Sequence, residues 1–194
     1  IELTSFAEVV LAPAAADASH PAFSNLFVQT ELVRARQAIL CTRRPRSGGE
    51  KPPYLLHLMT VQGTSAGKTA FETGRAECIG RGRTVADPVA MHRAALSDSE
   101  GSVLDPVIAI RNAVVLAPHE TARIHLVTGV AETREGALAL IEKYTDRHSA
   151  DRVFELSWTH SQVLARRLDA SEADIQLYER LASNILYANP MQRA

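Results

Sequence analysis

Cysteine is scarce in this chain. Cys41 and Cys78 stand far apart and outside any C-x-x-C spacing, so neither a disulfide framework nor a thiolate zinc site has a basis. Two free thiols expected in strands suit a reducing compartment. Aromatic residues make up 5% of the sequence, so basic stretches lack the interleaved rings that stack nucleic acid bases. Neither sign of charge dominates, because 21 Lys and Arg face 22 Asp and Glu. No global field therefore draws in nucleic acid or an anionic membrane, and any binding must be local. No stretch approaches the ~20 consecutive apolar residues that span a bilayer. Ile1 to Ala16 also lacks the basic start and continuous apolar core of a signal peptide. The histidines His20, His57, His92, His119, His125, His148 and His160 are scattered, without H-E-x-x-H or a close His/Cys pair, and no G-x-S-x-G elbow occurs.

What is present is a change of period near Gly129. Before it, short runs alternate apolar and polar residues between Gly/Pro turns; after it, apolar residues recur every three to four positions. Ile1 to Leu11 reads as a strand apolar on both faces, hence deep in a layered structure. Pro13 to Ser19 reads as a connection and Phe23 to Leu32 as a second strand. Gln37 to Thr42 and Tyr54 to Gln62 predict a hairpin around Arg43 to Pro53, a loop long enough to suggest a role of its own. Thr69 to Ile79 gives a further strand, then a turn at Gly80-Arg81-Gly82-Arg83, then a helical turn opened by Asp87-Pro88. Val107 to Leu116 and Ala122 to Val130 read as the clearest hairpin. Three helices are expected next, over Thr133 to Tyr144, Ser149 to Leu168, and from Ser171, where Ser171 and Asp174 form a capping box. The second carries Val153, Leu156, His160, Val163, Leu164 and Leu168 near one stripe. The third is expected to bury Ile175, Tyr178, Leu181, Ala182 and Ile185. An opening inside a strand and a stop just after a helix at Pro190 suggest a segment of a longer protein.

Few constellations could carry chemistry. Gly63-Thr64-Ser65-Ala66-Gly67-Lys68-Thr69 has three residues between its glycines where a phosphate-binding loop needs four, and a strand follows where a helix is required; it reads as a hairpin turn. In Gly80-Arg81-Gly82-Arg83, the glycines allow a sharp turn that projects two guanidiniums, whose planar forks suit sugar hydroxyls, carboxylates or phosphate. Pairing of an arginine with Glu77 or Asp87 would account for the same residues. Arg43-Arg44-Pro45-Arg46 reads as a solvated loop, His20 as a turn residue, and Trp158 as a packed ring. A carboxylate pair for glycoside cleavage meets across a fold and leaves no signature in sequence spacing.

Five segments in order carry a likeness to a known family: Thr4-Ser5-Phe6-Ala7-Glu8-Val9-Val10-Leu11, His20-Pro21-Ala22-Phe23-Ser24-Asn25-Leu26-Phe27, Phe71-Glu72-Thr73-Gly74-Arg75, Ile79-Gly80-Arg81-Gly82-Arg83-Thr84, and Thr128-Gly129-Val130-Ala131-Glu132-Thr133. Together they resemble glycoside hydrolase family 94, the cellobiose-phosphorylase-like enzymes, and within it the module of bacterial cyclic β-1,2-glucan synthases. The resemblance implies an antiparallel β-sandwich of the galactose-mutarotase-like kind, linker helices, and an α/α barrel beyond Ala194. In that family inorganic phosphate attacks the anomeric carbon while an Asp of the barrel protonates the leaving oxygen, so phosphate would be a substrate and no cofactor is implied. No residue of this chain is assigned as catalytic. A sandwich loop of the family sends an arginine toward the sugar site, which makes Arg83 the first and Arg81 the second substrate-binding candidate.

The expected fold is therefore mainly β with C-terminal helices: residues 1–131 the later part of a sandwich, residues 132–194 an α-helical linker. The expected function is a non-catalytic segment of a β-glucan-processing enzyme that scaffolds the catalytic barrel and helps form a homo-oligomer, inactive on its own. Its partners would be that barrel, a second copy and a β-glucan oligosaccharide, on the cytoplasmic side of a bacterial inner membrane to which the parent could be anchored. The competing reading is a stand-alone carbohydrate-binding or protein-interaction sandwich.

Overall fold

Pro106–Val115 alternates Val107 and Ala109 with Ile108 and Ile110, apolar on both sides, and such a strand must be covered on both faces. The computed structural model, which describes residues 1–45 and 47–186, places it at the centre of one sheet. In chain order the strands are β1 (Glu2–Thr4), β2 (Ala7–Glu8), β3 (Val28–Val33), β4 (Ala38–Arg43), β5 (Tyr54–Gln62), β6 (Thr64–Ser65), β7 (Ala70–Gly74), β8 (Gly101–Ser102), β9 (Pro106–Val115) and β10 (Arg123–Ala131). The helices are α1 (Ala14–Ser19), α2 (Pro21–Asn25), α3 (Arg75–Cys78), α4 (Arg134–Thr145), α5 (Arg147–Arg167) and α6 (Glu172–Leu186). They divide into two compact units, Ile1–Arg147 and His148–Ala194.

The first unit is a sandwich of two antiparallel sheets. In one, β9 pairs with β1 and β2 and with β7 and β6; the other runs β10-β5-β4-β3-β8. Between them lie Val9, Val28, Leu32, Ile39, Cys41, Met59, Phe71, Ile108 and Ile110. The opposite face of β9 offers Val107 and Ala109 to Cys78, Ile79, Ala90 and Leu96 of the long 75–105 excursion. On the outer face of the second sheet, Ala38, Leu40, Leu56 and Leu58 are covered by Ala137 and Ile141 of α4. Full burial of a side chain such as Ile141 contributes about 1.5–3 kcal/mol. Thr133 starts α4 by accepting the Gly136 N–H at 3.0 Å. The unit is thus layered: excursion, sheet, sheet, helix.

The mainly β sandwich with C-terminal helices is as the sequence implies, but several elements differ. β9 and β10 are consecutive yet do not pair; they lie in different sheets, because both edges of β9 are already taken and β10 pairs with β5 along its whole length. The expected strand Ile1 to Leu11 is broken at Ser5 and Phe6, where Ser5 Oγ accepts the Ile110 N–H. Pro13 to Ser19 holds α1, and Pro21 at a first helical position turns the start of the second expected strand into α2. Cys78 lies in α3, since the expected strand ends at Gly74. The helical turn after Asp87 is a 3-10 turn over Val89–His92 preceded by Pro88, with no side-chain cap from Asp87. Gly63 leads into β6 of the other sheet, so the glycine-rich stretch crosses between sheets rather than closing a hairpin.

In the second unit, α6 begins with the expected capping box: Ser171 N–H and Oγ donate to Asp174 Oδ2, and Asp174 N–H donates back to Ser171 Oγ. The expected burial is not found. Trp158 is 69% exposed, and Val153, Leu156, Val163, Leu164, Leu168, Tyr178, Leu181 and Ile185 are also exposed. A helical stripe predicted from periodicity identifies a face but not what covers it.

Candidate functional site: the arginine loop and its anchors

The two candidate arginines sit on the excursion that leaves β7 at Gly74 and returns at β9. Its base is closed by the backbone, with Arg75 N–H donating to Asp105 O at 2.9 Å. The Arg75 guanidinium pairs with Glu8 and lies 3.6 Å from Asp105 Oδ2, while Asn25 Nδ2 donates to Asp105 Oδ1 at 3.1 Å. These groups border a cleft of about 670 Å³ that also takes in Asp17 and the exposed Leu104. Arg75 is held above its usual pKa, first by its hydrogen bond to Glu8.

Two buried ions hold the excursion down. Glu72, fully buried on β7, accepts Thr73 N–H at 3.0 Å, Gly74 N–H at 3.1 Å, Ser97 N–H at 3.2 Å and Ser99 O–H at 2.6 Å. Burial pushes its carboxyl upward, yet the hydrogen bonds from Ser99, Ser97 and Gly74 outweigh it and leave the pKa below the usual value. Asp98 adds to the clasp by accepting Phe71 N–H at 2.7 Å. Arg111 on β9 donates to Ala90 O at 2.7 Å, Arg93 O at 2.9 Å and Thr4 Oγ1 at 2.8 Å. A buried guanidinium thus replaces water for two carbonyls of the excursion.

At the tip, Val89 N–H donates to Ile79 O at 2.9 Å and closes the turn. Gly80 has φ +91, and a Cβ there would lie 3.0 Å from Val89 Cβ; Gly82 has φ +73. Both are backbone conformations that side chains resist. Arg83 Nη1 donates to Asp87 Oδ2 at 2.8 Å, and Asp87 Oδ1 meets His92 Nε2 at 2.6 Å. The Asp87 carboxyl is held below its usual pKa, first by His92. Arg81 is exposed and has no hydrogen-bonding or ionic partner among the described residues. Glu77 pairs instead with Arg93 at 2.5 Å. The turn therefore brings Arg81 and Arg83 to one solvent-facing tip, one guanidinium oriented by a carboxylate and the other free.

Glu72, Arg111 and His57 were not singled out from sequence. A carboxylate inside the run Phe71-Glu72-Thr73 and a guanidinium inside Ile110-Arg111-Asn112 are the signal that could have found the first two. His57 spans the sheets: its Nδ1 lies 2.8 Å from Thr128 Oγ1 and its Nε2 2.9 Å from Ser5 Oγ. Burial lowers its pKa. Among the described residues, no three His, Cys, Asp or Glu side chains are grouped to hold a metal ion, and no helix is long and apolar enough to cross a membrane.

Comparison with known proteins places these features in a family. The family model of the glycosyl hydrolase 94 supersandwich domain matches residues 1–147. Over 195 aligned residues the sequence is 33% identical to cyclic beta-(1,2)-glucan synthase NdvB of Rhizobium meliloti (strain 1021), a match that covers the whole of this chain and 7% of that protein. The chain thus spans a small fraction of its curated relative's length. With three quarters of its residues inside the family match and the two-sheet architecture to go with it, the chain belongs to the glycosyl hydrolase 94 family and carries its supersandwich domain.

Proposed function

We propose that this chain is the non-catalytic sandwich and helical segment of a β-glucan-processing enzyme, supporting a catalytic domain and presenting the Arg81/Arg83 tip to its carbohydrate substrate. The observation that carries the supporting role is the apolar surface of α5 and α6. Phe154, Trp158, Ile185 and Leu186, in helices whose amphipathic pattern calls for a packing partner, and Leu168 just after α5 are each about 70% exposed or more. The catalytic α/α barrel of the longer enzyme is the partner that fits. A second copy supplies a subunit contact, for which the long β10 strand, paired among the described residues with β5 alone, offers an edge. Inorganic phosphate is a substrate of the whole enzyme rather than a cofactor, and the work is done on the cytoplasmic side of a bacterial inner membrane to which the parent is anchored.

In this reading Arg83 contacts sugar hydroxyls first and Arg81 second, with Asp87 fixing the Arg83 fork. The test is made in the full-length parent. Arg83→Ala is expected to lower kcat/KM on β-1,2-glucan several-fold without lowering the unfolding temperature, whereas Trp158→Ser is expected to lower that temperature. Unchanged kinetics would remove Arg83 from the site, and an unchanged unfolding temperature for Trp158→Ser would remove the helices from the support of the catalytic domain.

A further inference from the structure

The outer face of the second sheet is only partly covered. Where α4 lies on it, the face is apolar: Ala38, Leu40, Leu56 and Leu58 meet Ala137 and Ile141. Beyond the first turn of α4 the same face turns polar, and Gln29, Glu31, Thr42, Tyr54 and Arg134 line a groove of about 350 Å³ over Leu40. Gln29 and Thr42 are cross-strand partners, as are Glu31 and Leu40, so the groove lies across β3 and β4 with Tyr54 at the start of β5.

The chemistry of this groove is specific. Its one acid and one base cancel: Arg134 Nε and Nη2 donate to Glu31 Oε2 and Oε1 at 3.1 and 2.5 Å, a two-pronged fork. Arg134 sits in the first turn of α4, where the helix dipole disfavours a cation, so Glu31 offsets an unfavourable position. The Gln29 amide and the Tyr54 hydroxyl have no hydrogen-bonding partner among the described residues, although both residues are half-buried. Thr42 Oγ1 donates to Pro53 O at 3.3 Å. The groove therefore offers a ring, an aliphatic floor, free amide and hydroxyl groups and no net charge. Among the described residues an anion finds no unpaired cation here and a basic peptide no unpaired carboxylate. A neutral polyhydroxyl ring, apolar on its C–H face and hydrogen-bonding at its rim, matches each of these features.

We infer that the Gln29/Thr42/Tyr54 groove is a saccharide-binding site, separate from the arginine tip, that takes a glucosyl unit of a neutral oligosaccharide. This rests on the carbohydrate reading of the domain above and adds a second point of sugar contact on the sandwich. The ring lies against Tyr54 and Leu40, while hydroxyls exchange hydrogen bonds with Gln29, Thr42, the Tyr54 hydroxyl and the outer lone pairs of Glu31.

The test is calorimetric titration of the 194-residue chain with a β-1,2-linked glucotetraose, beside Gln29→Ala, Tyr54→Phe and Arg81→Ala, each checked for native circular dichroism. Saturable, weak binding is expected, reduced about three- to tenfold by Gln29→Ala and about threefold by Tyr54→Phe. Tyr54→Phe keeps the packed ring and removes only the hydroxyl, so it reads the site even if the Gln29 variant misfolds. Absence of saturable binding overturns the groove, as does binding lost with Arg81→Ala but indifferent to Gln29→Ala and Tyr54→Phe. Neither outcome touches the supporting role, which the turnover and unfolding of the parent enzyme test separately.

Discussion

Replacing Glu72 by Gln changes one atom of a buried clasp and should be felt across the whole excursion. The carboxylate accepts four hydrogen bonds, three of them at Oε1 and the Ser97 N–H at Oε2. A glutamine can place its carbonyl at Oε1 and keep three, but its amide nitrogen then faces the Ser97 N–H, donor against donor. Losing one charge-assisted bond costs about 1.5–3 kcal/mol and leaving a buried N–H unmade costs about 1–3 kcal/mol, so with partial relaxation a net loss of about 3 kcal/mol is expected. In urea this moves the unfolding midpoint down by about 1–2 M. The signal should be the β circular dichroism, because the single Trp158 belongs to α5 and reports the helical unit. Trypsin should also cut faster at Arg81 and Arg83, since Ser97 and Ser99 tether that segment. The pH dependence follows from the lowered carboxyl pKa. The contribution of Glu72 is fully present above the ordinary value of 4.5 and is lost as pH falls through the folded-state value, a loss that Glu72→Gln should not show. A midpoint within about 0.3 M of wild type would refute the clasp as the device that holds the loop.

The remaining expectations are briefer. Gly80→Ala should destabilise the domain by about 1–3 kcal/mol in the same urea assay, because φ is +91 and the new methyl meets Val89. His57 is held neutral by burial, so its share of stability is complete above pH 6.5 and declines as pH falls below it toward the lower folded value; denaturation midpoints between pH 7.5 and 5.5 should show a slope that His57→Leu removes. Burial pushes the Cys41 thiol up to about 12 and the Cys78 thiol up to about 11, so a disulfide reagent should label neither in the native state, and its rate should follow unfolding.

Strand rhythm, helix rhythm, the turn at Gly80 to Arg83 and the Ser171 cap were readable from sequence because each is set by neighbours within a few residues. The pairing of β9 was not. Alternation in Val107 to Leu116 marks a strand buried on both faces, but whether β10 or β7 takes its edge depends on contacts far away in the chain. The start at Pro21 shows the converse. A proline at a first helical position was present to be read, yet the apolar residues Phe23 and Phe27 favoured a strand. The arginine tip was legible because glycines mark backbone turns, whereas its anchors were not, since a buried Glu72 or Arg111 differs from a surface charge only through the partners the fold brings to it.

β9 forms a wall between two hydrophobic compartments, with Ile108 and Ile110 facing one and Val107, Ala109 and Arg111 turned to the other. Inserting or deleting a single residue in it would exchange the two sets, driving the Arg111 guanidinium into the space between the sheets while stripping Ala90 and Arg93 of their donor. Homologous sequences should therefore tolerate length changes freely between the neighbouring strands β4 and β5, and almost none between Pro106 and Val115.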